Sequence, residues 1–191
     1  VAEEGALTFS AAGGNAIAIG DVDLALNGVG TETLTVALAV ADGTLTLNGL
    51  AGLTVDAGAN GSSAITVTGT LADLNAALDG LTYVGDVDFV GADAVSITVD
   101  DLGNIGGGAL TGSASAAITV TPVNDAPALT VPAAANAVED TALAINGVAI
   151  ADVDTDHPGA TVTVTLTATD GTLGFPGATG VTASGAGTGT L

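Results

Sequence analysis

Two short elements, Asp21-Val-Asp23 and Asp152-Val-Asp154, each put two carboxylates on the same side of an extended segment, where a slight bend lets both reach one ion. Irregular, all-oxygen ligand sets of this kind suit Ca2+, which takes about six to eight oxygens at about 2.3 to 2.6 Å. The 191-residue chain has 21 Asp and Glu, no Lys, no Arg and one His, a formal net charge of -21. Two carboxylates about 4 Å apart repel by roughly 4 kcal/mol at an effective dielectric near 20. With no basic side chain to relieve that repulsion, clustered acids either stand in water or take a hard cation. A lone Asp-x-Asp is common in polar loops, but this pair recurs at equivalent points of an internal repeat, and calcium is the expected ligand.

Other chemistries find less support. A hydrolase needs a nucleophile and base, or two carboxylates set in a pocket. The only imidazole, His157, precedes Pro158 and reads as an exposed loop residue. Asp86 and Asp88 resemble a glycosidase pair only in spacing, and aromatics at 2% leave no sugar-stacking cleft. The glycine-rich stretches at 103–108 and 185–189 lack the Lys of a phosphate loop. Asp152-Val-Asp-Thr-Asp156 invites an EF-hand comparison, with Asp156 as an extra ligand. The comparison fails because His157 stands where the sixth position needs Gly and Thr163 where the twelfth needs Glu. Asn60-Gly-Ser62 matches a glycosylation acceptor, a signal common by chance. The chain is expected not to be an enzyme. Without Lys or Arg to displace counterions, nucleic acid is not an expected partner.

The elements that must position these acids are strands. Hydrophobic residues reach 48%, which excludes disorder through low hydrophobicity, yet no run approaches the length of a membrane-spanning helix. Zero Cys leaves no disulfide framework and fits secretion without oxidative folding. Segments 33–40, 43–47, 64–68, 94–99, 116–121 and 161–167 alternate polar and apolar residues with the period of two that a half-buried strand requires. Asp42-Gly43 and Asp170-Gly171 lie between such runs and predict type I′ hairpins, in which Gly accepts positive φ. The helical candidate is 71–78, with Leu71, Leu74 and Leu78 on one face. About seven short strands in roughly 110 residues predict an all-β sandwich with one short helical turn near 71–79.

An internal repeat organises the chain. Val-Ala-Glu3-Glu4 at the start returns as Val138-Glu139-Asp140, Asp21-Val-Asp23 as Asp152-Val-Asp154, Asp42-Gly-Thr-Leu45 as Asp170-Gly-Thr-Leu173, and Thr68-Gly-Thr-Leu71 as 188–191, all in the same order. Between the units runs Thr121-Pro-Val-Asn124-Asp125-Ala-Pro127, where two prolines predict a stiff, extended connector. The expected domains are 1–122, nearly complete, and 123–191, the first part of a second copy. An opening Val1 without Met or leader pattern reads as the interior of a longer protein.

The linker 123–127, the Glu139-Asp140 pair, the Asp152-Val-Asp154 element and the Asp-Gly-Thr-Leu turn together resemble the cadherin-like tandem repeats of large bacterial adhesins. The resemblance spans essentially the whole chain. It implies an Ig-like Greek-key sandwich with Ca2+ held at junctions between domains. On that topology Glu3, Glu4, Asp88, Asp93, Asn124, Asp125, Asp152 and Asp154 would form one cage. Asp21, Asp23, Asp100 and Asp101 would gather at the opposite end of the first domain, and Glu139 and Asp140 would await a following one. The implied role is a calcium-stiffened stalk at the bacterial surface or in secretion, serving adhesion and biofilm, with neighbouring repeats as partners. The alternative is a homopolymeric matrix filament or surface-layer subunit completed by strands from another chain.

Overall fold

The computed structural model describes all residues except 28–29, 105–106, 157–159, 178–179, 185–186 and 188–191; the side chains of 25–27 and 156 also fall outside the described set. The chain is mostly antiparallel β-sheet and divides into two units, Val1–Asn124 and Asp125–Leu191. Among the described residues no helix is long and apolar enough to cross a membrane.

In the first unit, β1 (Ala6–Phe9), β6 (Leu81–Gly85) and β3 (Gly43–Thr46) form a three-stranded sheet in the order β1-β6-β3. A five-stranded sheet runs β4-β5-β2-β7-β8, from β4 (Thr54–Gly58), β5 (Ala64–Thr70), β2 (Thr33–Ala39), β7 (Gly91–Asp100) and β8 (Thr111–Val120). Both sheets bury alternate residues in one core. Leu34, Val36 and Leu38 point inward from β2, Val95 and Ile97 from β7, and Leu81 and Tyr83 from β6. The alternation follows from the pleat, which sends successive side chains to opposite faces.

Helix α2 (Leu71–Leu78) forms where the leucine spacing predicts it. Thr70 is its N-cap, accepting from the Asp73 amide at 3.2 Å, and Leu74, Ala77 and Leu78 are buried while Leu71 is half-buried. A second, unpredicted helix, α1 (Val22–Asn27), follows Asp21.

Asp42-Gly43 is not a hairpin. β2 and β3 belong to different sheets, so the turn carries the chain across the core. Gly43 does not take the positive φ of a type I′ turn. It is needed for close approach: a Cβ there would come 2.5 Å from the Val84 carbonyl oxygen and 2.6 Å from the Tyr83 ring. Alternation in flanking strands reports which face is buried, and it is silent on which sheet each strand joins.

In the second unit β9 (Ala128–Thr130) pairs antiparallel with β10 (Ala149–Ala151), followed by a 3-10 turn at Val153–Asp156. The alternating segment 161–167 forms no named strand; its Val162, Val164 and Leu166 are each about 40% exposed. The described residues of this unit do not reproduce the sheets of the first, and tandem copies of one fold are not seen.

Candidate metal centre

The pairing of Ala151 with Ala128 brings the chain just after β10 beside the chain just before β9, and so Asp152 to Asp154 beside Asp125. The Asp152 carboxylate accepts from the Asp154 amide at 3.0 Å, and Thr155 Oγ1 donates to the Asp152 carbonyl at 2.7 Å. The Asp154 carboxylate accepts from the Asp125 backbone amide at 2.6 Å. One carboxylate oxygen of Asp125 lies within 4.8 Å of one of Asp154, and all three aspartates are half-buried. Two half-desolvated anions this close attract positive charge, and the chain's side chains hold no Lys or Arg to supply it.

The first unit uses its acids differently. Asp21 Oδ1 accepts from the amides of Asp23 at 2.8 Å and Leu24 at 3.2 Å, making it the N-cap of α1. Asp152 caps the 3-10 turn in the same manner. The recurring Asp-x-Asp is therefore a helix-start element in both units, a signal legible as Asp before an apolar residue and a second acid. Asp100 Oδ1 accepts from the Leu102 amide at 2.7 Å, and Asp101 Oδ1 from Gly103 at 2.8 Å and Leu110 at 2.7 Å. These bonds shape the turn from β7 to β8 and hold the Asp101 carboxyl below its usual range. Within either unit taken alone, no three acids or histidines among the described residues bring ligand atoms within 4.8 Å of one another. Asp21, Asp23, Asp100 and Asp101 thus do not converge as expected.

Asp93 faces inward from β7 and is 9% exposed. Its carboxylate accepts from the amides of Ala41 at 3.2 Å, Asp42 at 3.1 Å and Ala94 at 2.7 Å, and from the Tyr83 hydroxyl at 3.1 Å. Burial raises its pKa, but the three amides and the hydroxyl outweigh burial and hold the carboxyl below its usual range. Tyr83, fully buried, is pushed up to about 12 by burial and by the adjoining Asp93. This pair anchors the crossover from β2 to β3, a role not legible in the sequence around either residue.

Of the remaining expected ligands, Glu3 is 5% exposed and accepts from the Val123 amide at 2.6 Å. Glu4, Asp88 and Asn124 are exposed, and Asp88 sits at positive φ in the turn before β7. Glu139 and Asp140 are exposed beside a turn closed by the Thr141 amide on the Val138 carbonyl. The Asp156 side chain and His157 lie outside the described residues. Asn60, the potential glycosylation residue, has its amide spent on the backbone of Leu47, accepting at 2.7 Å and donating at 3.3 Å.

No curated protein and no solved structure matches the chain. A family model does match: residues 28–105, less than half of the chain and wholly within the first unit, are similar to the Protein GAMETE EXPRESSED 2 domain. That finding overturns the resemblance to cadherin-like repeats of bacterial adhesins, and with it the stalk, biofilm, filament and surface-layer readings. The four-fold match of short motifs that suggested it has a local cause in at least one case, since Asp-x-Asp starts a helix in both units. Over β2 to β7 the chain is similar to a domain of a gamete-expressed protein.

Proposed function

We propose that this chain is a non-catalytic, extracellular β-sandwich module whose second unit binds Ca2+ through Asp125 and Asp154, with Asp152 positioning Asp154 through its backbone amide. The observation that carries the reading is the half-buried approach of Asp125 and Asp154 within 4.8 Å in a chain without Lys or Arg. The antiparallel β9–β10 pair supplies the rigidity that holds both carboxylates at one end of the unit. Mg2+ demands near-octahedral geometry and dehydrates reluctantly, whereas Ca2+ accepts an irregular set completed by backbone carbonyls and water. A site with few protein carboxylates belongs to the weak class, about 10⁻⁴ to 10⁻³ M, which is filled outside cells and not in the cytosol.

Calorimetric titration of the whole chain with CaCl2 tests the reading. Saturable binding is expected, with Asp154→Asn weakening it by about tenfold or more through the lost ligand charge. Binding unchanged by Asp154→Asn, or no binding at millimolar Ca2+, overturns it.

A further inference from the structure

Three Asn-Gly pairs lie within the described residues: Asn48-Gly49, Asn60-Gly61 and Asn146-Gly147. A fourth, Asn27-Gly28, extends beyond them. Such pairs share one chemistry, because Gly offers no side chain to shield its backbone nitrogen from the preceding carboxamide. The structure treats them differently. Asn48 donates its amide Nδ2 to the Asp79 carbonyl at 2.9 Å, and its own backbone N–H donates to Ala77 at 3.0 Å. Asn60 is bound to Leu47 by both ends of its carboxamide, and the Gly61 N–H, the would-be nucleophile, donates to the Leu45 carbonyl at 2.8 Å. Asn146 is exposed in the segment before β10, and no hydrogen bond among the described residues fixes its carboxamide or the Gly147 N–H. Gly147 has positive φ, and nothing lies within 4 Å of where a Cβ would stand.

We propose that Asn146 is a site of spontaneous covalent modification, converting through a cyclic imide to aspartate and isoaspartate, while Asn48 and Asn60 are protected by the bonds that hold them. The Gly147 nitrogen gives its proton to solvent base and attacks Cγ of Asn146. A new C–N bond closes the five-membered ring, and the bond from Cγ to Nδ2 breaks, with Nδ2 leaving as ammonia. Water then opens the ring at either carbonyl, giving Asp or its isomer in which the backbone runs through Cβ. One water is consumed, one ammonia is released, and nothing is oxidised or reduced. The product adds one carboxylate to a chain that is already acidic, and in its isomerised form lengthens the backbone three residues before β10. Ring closure needs the nitrogen brought onto Cγ, and bonds that hold either partner away from that geometry cost about 10²-fold in rate.

The test incubates the whole chain at mildly alkaline pH, natively and in denaturant, followed by cleavage at aspartate and mass mapping; trypsin has no site here. Natively, Asn146 is expected to gain the mass of an amide-to-acid exchange at least about tenfold faster than Asn48 or Asn60. In denaturant the three should converge. Asn146→Gln, which would need a six-membered ring, should abolish the native signal while circular dichroism stays unchanged. Native conversion of Asn48 or Asn60 at the pace of Asn146, or an Asn146 that stays intact while the denatured chain reacts, overturns the proposal.

Discussion

An anionic side chain in the interior of a protein without Lys or Arg must be satisfied by N–H and O–H donors, and Asp93 collects four of them. Removing that acceptor set orphans three part-buried amides and the buried Tyr83 hydroxyl, so Asp93→Ala should destabilise the first unit by on the order of 3 kcal/mol in urea unfolding. The same contacts set the sign of the acid response. Because the folded pKa of Asp93 lies below the unfolded one, its stabilisation is complete above the unfolded value and is lost as pH falls through the lower folded value. Asp93→Asn should flatten that acid limb. Tyr83 gives the opposite limb: its folded pKa is raised to about 12, so stability is lost as pH rises from the ordinary tyrosine value, near 10, through about 12. Tyr83→Phe should remove this alkaline loss, read from urea midpoints across pH. Asp93 and Tyr83 could be read as strand residues, but not as partners, because 10 residues separate them and the contact depends on how β6 and β7 face each other across sheets.

The elements themselves were legible to the extent that they alternate strongly or cap visibly. β2, β3, β5, β7 and α2 follow their patterns closely, β8 starts five residues before the alternating segment 116–121, and β1, β4 and β6 are short and carry no such pattern. The segment 161–167 alternates best in the second unit and forms no named strand, since alternation specifies a face and a strand also needs a partner edge. Two edges of the five-stranded sheet are managed differently. β4 carries a register shift between Val55 and Ala57, while β8 pairs with β7 over ten unbroken residue pairs. Near its end, Thr119 and Thr121 turn their backbone groups outward to Val1–Glu3, so in a regular strand Ser113 and Ser115 also face outward and Ala114 faces β7. Ser115→Pro should therefore cost little, whereas Ala114→Pro removes a ladder bond and should cost about 3 kcal/mol or more. Thermal melts of the two variants check the parity of the edge. Asp-x-Asp was legible as chemistry but equally legible as a cap, and in the first unit the cap is what forms.

At the scale of the molecule, 21 acids and no basic side chain make self-repulsion the dominant long-range field. Raising NaCl screens exposed charges and should raise the melting temperature, most steeply at low ionic strength, where the Debye length is about 30 Å at 0.01 M. Calcium should act differently, at millimolar concentration and at one place. The most direct measurement is an amide-resolved NMR titration of the chain with CaCl2 in a constant background of NaCl. The calcium assignment predicts saturable shifts concentrated at Asp125 and Asp152–Thr155, led by the Asp125 amide that donates to Asp154, and their loss in Asp154→Asn. Shifts spread evenly over the acidic residues, or centred on Asp21–Asp23 or the turn from β7 to β8, would contradict it.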